Sequence, residues 1–178
     1  VPSGMRSWGF WIAKDIDDIL IDHVTINGFS IGVNIGSSQT TNLVNGSDGL
    51  NERLTLRNSK IINNKSQGLL GSGNDYIIEN NYFANNGFGA TDVTLADRNH
   101  NIYYSASQDS HNAVIRNNEL YQSAMVDYDG NGTLECAGVS LVVHGHHSNL
   151  LIENNYIHED IGAVRGGCWG ISVDPSSS

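Results

Sequence analysis

A short pattern of apolar and polar positions recurs five times along the chain. In each copy, apolar residues alternate with other residues, a polar pair usually containing Asn follows, and a second apolar residue lies five positions after the first. The copies are DILIDHVTI at 18–26, RLTLRNSKI at 53–61, YIIENNYF at 76–83, AVIRNNEL at 113–120 and LLIENNYI at 150–157. This alternation around a polar corner predicts short β-strands joined by tight turns.

The copies recur with a period, which predicts stacked repeats. Their central apolar residues are Ile21, Leu56, Ile78, Ile115 and Ile152, spaced by 35, 22, 37 and 37 residues. The spacing of 22 is therefore the bare repeat, and the longer intervals carry loops. A second apolar word follows each copy: GVNI at 32–35, GLLG at 68–71, NIYY at 101–104, GVSL at 138–141 and GISV at 170–173. WGFWIA at 8–13 resembles a further, partial copy. Such periods are typical of units that bury their apolar faces only against neighbouring units.

Polar residues indicate that the repeats stack in parallel and in register. The residues after the central positions alternate in charge, as favourable neighbours in a stack would: Asp22, Arg57, Glu79, Arg116 and Glu153. The next positions predict a ladder of stacked amides with one exception, His23: Asn58, Asn80, Asn117 and Asn154. We therefore predict an all-β, single-stranded parallel β-helix of about five coils plus a partial N-terminal coil. A four-layer β-sandwich is the alternative.

Length and composition limit the class of protein. The 178 residues suffice for one domain, 1–178, which we interpret as a fragment of a longer chain because both ends lack obvious caps. The net charge of −10 argues against nucleic-acid binding, because no basic patch is available to neutralise phosphates. No apolar run approaches the roughly 18 residues of a transmembrane helix.

The words I-x-N-N-x-I and G-I-x-x-S resemble those of the right-handed parallel β-helix group of carbohydrate-active proteins. That group includes pectate and alginate lyases, chondroitinase B, mannuronan epimerases and polygalacturonases. The resemblance covers nearly the whole chain and implies a right-handed helix that acts on an acidic polysaccharide. It rests on stacking residues, so it indicates fold more strongly than reaction. The polygalacturonases carry an Asp-Asp pair and an Asn-Thr-Asp word at their active site. This chain has no Asn-Thr-Asp, and its one Asp-Asp, at 17–18, lies at the far end of the chain from the expected site.

Inserted loops indicate where a binding groove lies. Three insertions, 87–99, 123–137 and 159–168, fall between the first strand word and the second, whereas 37–51 follows the second word. Loops clustered along one corner of a rigid stack commonly wall a groove. We expect a lyase or epimerase working on a polysaccharide at this corner. A glycoside hydrolase and a non-catalytic glycan-binding or structural segment are the alternatives.

The last two copies place several reactive side chains beside these loops. Elimination from a uronic acid needs a base, a cation for the carboxylate and an acid. We assign these roles to His158, to Arg165 or a bound Ca²⁺, and to Tyr121 or Tyr156. Hydrolysis would instead use two carboxylates about 5–10 Å apart. The carboxylates available for that reaction are Glu119 with Glu159 or Asp160.

Other residues are candidates for substrate contacts. Lys60 and Tyr82 continue the row of Glu119 and Tyr156 along the stack. In DRNHNIYYS at 97–105, a second and weaker group lies beside an insertion: Arg98, His100 and Tyr103. Four further histidines are expected in turns on the opposite side, where a Zn²⁺ or Cu²⁺ site competes with a simple polar corner as the explanation. They are His111, His144, His146 and His147.

The word DYDGNGTLE at 127–135 carries oxygen ligands at alternating positions. They are Asp127, Asp129, Asn131, the Thr133 carbonyl and Glu135, with Gly132 at the tight turn. This matches the first nine positions of an EF-hand loop, and therefore predicts Ca²⁺. The twelfth position, normally Glu, is Gly138. An acidic turn without an ion is the alternative.

Two cysteines and one apolar row complete the expectations. Cys136 and Cys168 precede similar words in adjacent repeats, which predicts either a disulfide or two buried thiols. A disulfide would indicate a secreted or cell-surface protein.

Strict alternation turns one mainly apolar row outward, to be covered by another copy of the chain or by flanking domains. The row consists of Leu20, Thr55, Ile77, Val114 and Leu151.

Overall fold

A computed structural model describes residues 7–36, 51–88, 98–127, 129–159 and 168–174, and within these ranges the chain is all-β without helices. The strands in chain order are β1 (Trp8–Ile12), β2 (Leu20–Asp22), β3 (Thr25–Asn27), β4 (Ile31–Ile35), β5 (Thr55–Arg57), β6 (Lys60–Ile62), β7 (Gln67–Leu70), β8 (Ile77–Glu79), β9 (Tyr82–Ala84), β10 (Ile102–His111), β11 (Val114–Arg116), β12 (Glu119–Tyr121), β13 (Met125–Val126), β14 (Glu135–Cys136), β15 (Val139–Ser148), β16 (Leu151–Glu153), β17 (Tyr156–His158) and β18 (Trp169–Asp174). No helix in these ranges is long and apolar enough to cross a membrane.

Apart from β13 and β14, the strands form three parallel sheets that the chain visits in a fixed order. Sheet A is β1-β4-β7-β10-β15-β18, sheet B is β2-β5-β8-β11-β16, and sheet C is β3-β6-β9-β12-β17. Each repeat contributes one strand to sheet B, one to sheet C and one to sheet A. This arrangement is consistent with a parallel β-helix. The central residues pair as predicted, Ile21 with Leu56, Leu56 with Ile78, and Ile115 with its neighbours on both sides.

Rows of apolar side chains fill the space between the sheets. Sheet B contributes Ile21, Leu56, Ile78 and Ile115, sheet C contributes Ile26, Ile61, Phe83 and Leu120, and sheet A contributes Val33, Leu69, Ile102 and Leu141. All of these are at most 3 % exposed. Period-two alternation explains the pattern, because it turns every second residue of each short strand inward.

The amide ladder lies one residue later than predicted. Asn58, Asn80, Asn117 and Asn154 are exposed corner residues with φ of 50–56°, a region that Asn tolerates better than most residues. The corner then turns the following side chain inward, where Asn81 donates from Nδ2 to Asn118 Oδ1 at 3.1 Å and Asn118 donates to Asn155 at 3.0 Å. The prediction that the first Asn of each pair forms the ladder is therefore wrong.

A second buried ladder runs along the corner between sheets C and A. Asn64 donates from Nδ2 to Asn86 Oδ1 at 2.8 Å, Asn86 donates to Asn101 Oδ1 at 2.8 Å, and Asn101 donates to Ser140 Oγ at 3.0 Å. Ser140 occupies the position where earlier repeats carry Gly or Asn. Each amide here is almost fully buried, so these bonds satisfy groups that would otherwise be costly to bury.

The alignment of the fourth apolar word is wrong by two residues. Sheet A pairs Ile102 with Leu141, and Leu141 with Ile171, whereas GVSL read from position 138 had placed Val139 in that row. The hydrogen bond to Ser140 identifies the true register, because a polar partner for Asn101 is needed at that level. Because the shift is two residues, the same side chains of β15 face outward, but each one lies beside a different residue of the neighbouring strand.

The histidine-containing segments are strands rather than turns. His144, His146 and His147 lie in β15 and His111 ends β10, the two ten-residue strands of sheet A. Gly145, at φ 104°, interrupts the regular geometry of β15. A Cβ on Gly145 would lie 1.9 Å from the Ala106 carbonyl oxygen, so this close approach of two strands requires glycine.

Two surface rows behave as the sequence indicates. The alternating charges meet across strands, with Arg57 3.0 Å from Asp22 and Arg116 2.8 Å from Glu79. The apolar row of sheet B faces outward, and its ends Leu20 and Leu151 are 58 % and 46 % exposed. A covering partner for this row stays a prediction.

Candidate functional site

The sheet C cluster gathers four of the residues predicted to act in catalysis. His158 Nε2 lies 3.0 Å from Glu119 Oε1. The His158 ring stacks on Tyr121 at 4.6 Å and on Tyr156 at 4.2 Å. The cluster forms because Glu119 and Tyr121 pair in register with Tyr156 and His158 across β12 and β17. Arg165 and Asp160 lie outside the described residues.

The geometry of the sheet C cluster favours recognition over proton abstraction. Glu119 engages Nε2 of His158, so this nitrogen is not free to act as a base. Lys60, a predicted substrate contact in the same row, lies two strands away, because Lys60 pairs with Tyr82 and Tyr82 with Glu119. Among the described residues, no ion pair brings a Lys or Arg to this cluster.

Glu159 is placed differently from the other carboxylates. Its Oε1 accepts a hydrogen bond from the Ser123 amide at 3.2 Å, and its Oε2 is buried without a hydrogen-bond partner in the described part of the chain. Burial raises the pKa of Glu159 to about 7. Its carboxylate also lies within 4.8 Å of both sulfurs of Cys136 and Cys168, which form a disulfide with α-carbons 5.5 Å apart.

A cleft of about 600 Å³ opens on the outer face of sheet A. It lies beside the corner that carries the loops between sheets C and A. Its walls include Arg98, His100, Tyr103, His144, Trp169 and Asp174. The cleft therefore brings the second predicted group together and adds His144, which the sequence placed in a turn on the opposite side.

The floor of this cleft is a buried imidazole. His100 is 3 % exposed, and its Nδ1 lies 2.8 Å from the Val139 carbonyl oxygen, so this nitrogen carries the proton and donates. Burial lowers the pKa of His100 to about 4. Its ring contacts the ring of Tyr103 at a centroid distance of 5.1 Å. His100 thus stays neutral near pH 7 and fixes the position of the phenol above it.

Tyr103 and His144 face each other across neighbouring strands. The Tyr103 oxygen lies 3.4 Å from His144 Nδ1, and the two rings are 6.2 Å apart. Register explains the contact, because Tyr103 pairs with Val142 and the following residues bring His144 to the same outward face. The signal that could have found His144 is the position of Ser140 in the amide ladder, which fixes the register of β15.

Protonation of His100 is expected to destabilise the fold in acid. The unfolded chain takes up this proton near the ordinary pKa of about 6.5, so stability should fall by about 2–3 kcal/mol between about pH 7 and pH 4.5. His100→Asn keeps a donor near Nδ1 and should lose most of this dependence. The measurement is urea unfolding at both pH values, compared between wild type and variant.

The matched control for this prediction is His23→Asn, which removes an imidazole at an exposed corner where φ is 55°. Asn tolerates that backbone conformation. If His100→Asn changes stability equally at the two pH values, a buried neutral imidazole does not explain the acid sensitivity.

The loop from Asp127 to Glu135 closes a small antiparallel hairpin of β13 and β14. Asp127 Oδ2 accepts from the Gly132 amide at 3.0 Å, and Asp127 Oδ1 is buried without a hydrogen-bond partner among the described residues. Asn131 Oδ1 accepts from the Thr133 amide at 2.7 Å. In the described ranges, the carboxylates of this loop do not form a group of three ligand atoms within 4.8 Å of one another.

Comparison of the chain with family models, with curated proteins and with solved structures gives no significant match in any of the three.

Proposed function

We propose that the chain is a right-handed parallel β-helix that modifies an acidic extracellular polysaccharide, as a lyase or an epimerase, in the cleft of sheet A. One observation carries the proposal: Arg98, Tyr103 and His144 line a single cleft, and the last two lie 3.4 Å apart. Both reactions begin by removing the proton next to a uronate carboxylate, which needs a cation, a base and an acid in one place.

Each of the three side chains has a role in that reaction. Arg98 pairs with the uronate carboxylate and stabilises the negative charge that develops when the C5 proton leaves. His144 donates from Nδ1 to the Tyr103 oxygen, which leaves Nε2 available as the base. Tyr103 gives its proton to the glycosidic oxygen as that bond breaks. In epimerisation, His144 keeps the proton that it removes, Tyr103 delivers a different proton to C5 from the opposite face, and the glycosidic bond is kept.

The surrounding residues position this group. His100 lies beneath Tyr103 and is too deeply buried to contact a polymer. Trp169, 58 % exposed, contributes an aromatic wall on which a sugar ring can pack. A cleft with aromatic walls and a few convergent polar groups is the common form of small-ligand sites.

The proposal includes a calcium ion bound by the loop of the β13–β14 hairpin. Asp127, Asp129, Asn131, Glu135 and the Thr133 carbonyl supply hard oxygen ligands of the kind that Ca²⁺ prefers. The buried Asp127 Oδ1 without a hydrogen-bond partner supports this assignment. The ion would draw the loop carboxylates together and reduce the negative charge that a chain of net charge −10 presents to a uronate polymer.

Hydrolysis is the second candidate, and one observation favours it. A carboxyl with a pKa of about 7, as burial gives Glu159, is protonated to a large extent at neutral pH and suits a general acid. Glu119 or Asp160 would then be the second carboxylate. We rank hydrolysis below elimination because Glu159 lies against the disulfide, inside the corner.

The test is a panel of pectate, alginate, a chondroitin-type polymer and a neutral glucan, each with calcium and then with a chelator. Ultraviolet absorbance reports unsaturated ends and a reducing-end assay reports cleavage by any route. We expect both signals to rise on a uronate polymer and to fall on chelation. Proton exchange at C5, followed by NMR, detects epimerisation, which cuts no bond.

The remaining outcomes count against the proposal. Reducing ends without absorbance would assign the reaction to hydrolysis by carboxylates. Folded protein that gives no absorbance, no reducing ends and no C5 exchange on every polymer would overturn the enzymatic proposal and favour a binding or structural segment. Activity that is indifferent to chelation would remove calcium from it.

A further inference from the structure

A second surface with sugar-binding chemistry lies on the corner between sheets B and C. It is a shallow groove of about 400 Å³, here called the amide groove, whose walls include Asn58, Lys60, Asn80, Tyr82, Asn117 and Glu119. Equivalent residues of successive repeats form it, so it runs along the stack. Strand pairing places its successive levels about 4.8 Å apart.

Several corner amides bond to a neighbouring repeat, whereas, in the described part of the chain, two amides of this groove do not. Asn58 donates to Asp22, Asn63 to Asn27, and Asn112 to Asp75, all at 2.9–3.0 Å. Among the described residues, the side chains of Asn80 and Asn117 make no hydrogen bond. Each therefore offers both a donor and an acceptor to a ligand, which is the pairing that neighbouring sugar hydroxyls require.

Lys60 adds a cation to the same groove. It is exposed and is without an ion pair in the part of the chain that the structure describes. Its strand neighbour is Tyr82, and Tyr82 in turn pairs with Glu119. The row thus presents an ammonium, a phenol, a carboxylate and two amides over three successive repeats, within reach of one extended molecule.

Aromatic rings continue the groove at its C-terminal end. Tyr156, which pairs with Glu119, is 63 % exposed although its ring stacks on His158. A rigid, exposed ring of this kind offers a flat apolar face beside polar groups, as one side of a pyranose ring requires. Its stacking on His158 holds the ring in place, which lowers the entropy lost on binding.

We propose that the amide groove, with Tyr156, is a second glycan site that holds a uronate oligosaccharide along the stack without acting on it. The amides and the Glu119 carboxylate bind hydroxyls, and Tyr156 packs against a ring face. Lys60, two strands away from Glu119, binds a uronate carboxylate. The groove lies on sheet C and its corner with sheet B, whereas the cleft lies on sheet A. The site therefore stands independently of the reaction proposed for the cleft.

The experiment is calorimetric titration of the full chain with a pectate-derived and an alginate-derived hexasaccharide. A cleft variant, R98A with Y103F, isolates the groove, and a groove variant, N117G with Y156A, removes it. N117G keeps a residue suited to the corner backbone, which has φ of 54°. We expect the cleft variant to retain binding of one uronate hexasaccharide. Adding the groove changes to the cleft variant should weaken that binding at least about tenfold.

Unchanged affinity on adding the groove changes to the cleft variant, or failure of the cleft variant to bind either hexasaccharide, would overturn the second site. Absence of turnover in the unaltered protein, with groove binding intact, would instead count against the proposed function alone.

A measurement on the unaltered protein covers the possibility that a variant folds poorly. Acetylation of lysines, followed by mass spectrometry, reports the exposure of Lys60 with and without the hexasaccharide. Lys65, also exposed, is the internal control. We expect the saccharide to slow acetylation of Lys60 several-fold and to leave Lys65 unaffected. Equal rates for both lysines at saturating hexasaccharide would contradict the proposal.

Discussion

Replacing Tyr103 with Phe is expected to lower turnover by about 100- to 10 000-fold, the usual contribution of a positioned acid or base. In the proposed reaction the phenol protonates the leaving oxygen, and its contact with His144 at 3.4 Å sets its direction. The ring remains, so its packing over His100 and the affinity for substrate should change little. The measurements are kcat on the active polymer and the dissociation constant of an oligosaccharide.

The same change at Tyr121 distinguishes the two clusters. Tyr121 stacks on His158 in sheet C, whereas the cleft lies on sheet A. A large loss of turnover in Y121F combined with full turnover in Y103F would move the chemistry to the sheet C cluster and overturn our assignment. A loss of binding without a loss of kcat in Y103F would make Tyr103 a substrate contact only.

Replacing Asn118 with Ala is expected to lower the free energy of unfolding by about 3–5 kcal/mol, because it leaves several buried polar groups without partners. Asn118 Oδ1 accepts from the Asn81 amide and side chain at 3.0 and 3.1 Å. Its Nδ2 donates to the Ile78 carbonyl at 2.9 Å and to Asn155 at 3.0 Å. Urea unfolding monitored by circular dichroism measures the loss.

The neighbouring residue provides the matched control. Asn117 is exposed and has φ of 54°, so N117G keeps the corner conformation and should change stability by less than about 0.5 kcal/mol. A loss below about 1 kcal/mol in N118A would mean that water enters and satisfies the opened amides. That result would contradict the account of the ladder as a dry, fully paired network.

The sequence was sufficient for the register of sheets B and C. Charge alternation and the spacing of the central apolar residues both specify it, and Ile21 through Ile152 pair as expected. The sequence did not show in the same way which Asn of each pair points inward and which points outward. They depend on which residue adopts the left-handed conformation, and Asn is suited to both positions.

Sheet A was harder to predict because its strands vary in length. The word GVSL imitates the others, yet the strand around it extends from Val139 to Ser148 and contains the bend at Gly145. The hydrogen bond from Asn101 to Ser140 shows which residues of β15 pair with which residues of β10. The sequence therefore found the sheet C cluster, where pairing is regular, and missed the contribution of His144 to the cleft.

The alternating charges restrict how a chain of this kind can gain or lose repeats during evolution. Excising one bare repeat, residues 57–78, would bring Asp22 beside Glu79, where Asp22 now contacts Arg57. Like charges directly opposite each other on paired strands destabilise a sheet. A duplication or deletion of two repeats would preserve the order of signs. Duplications and deletions that keep the charges of this row alternating therefore involve an even number of repeats, although one repeat is the smallest structural unit.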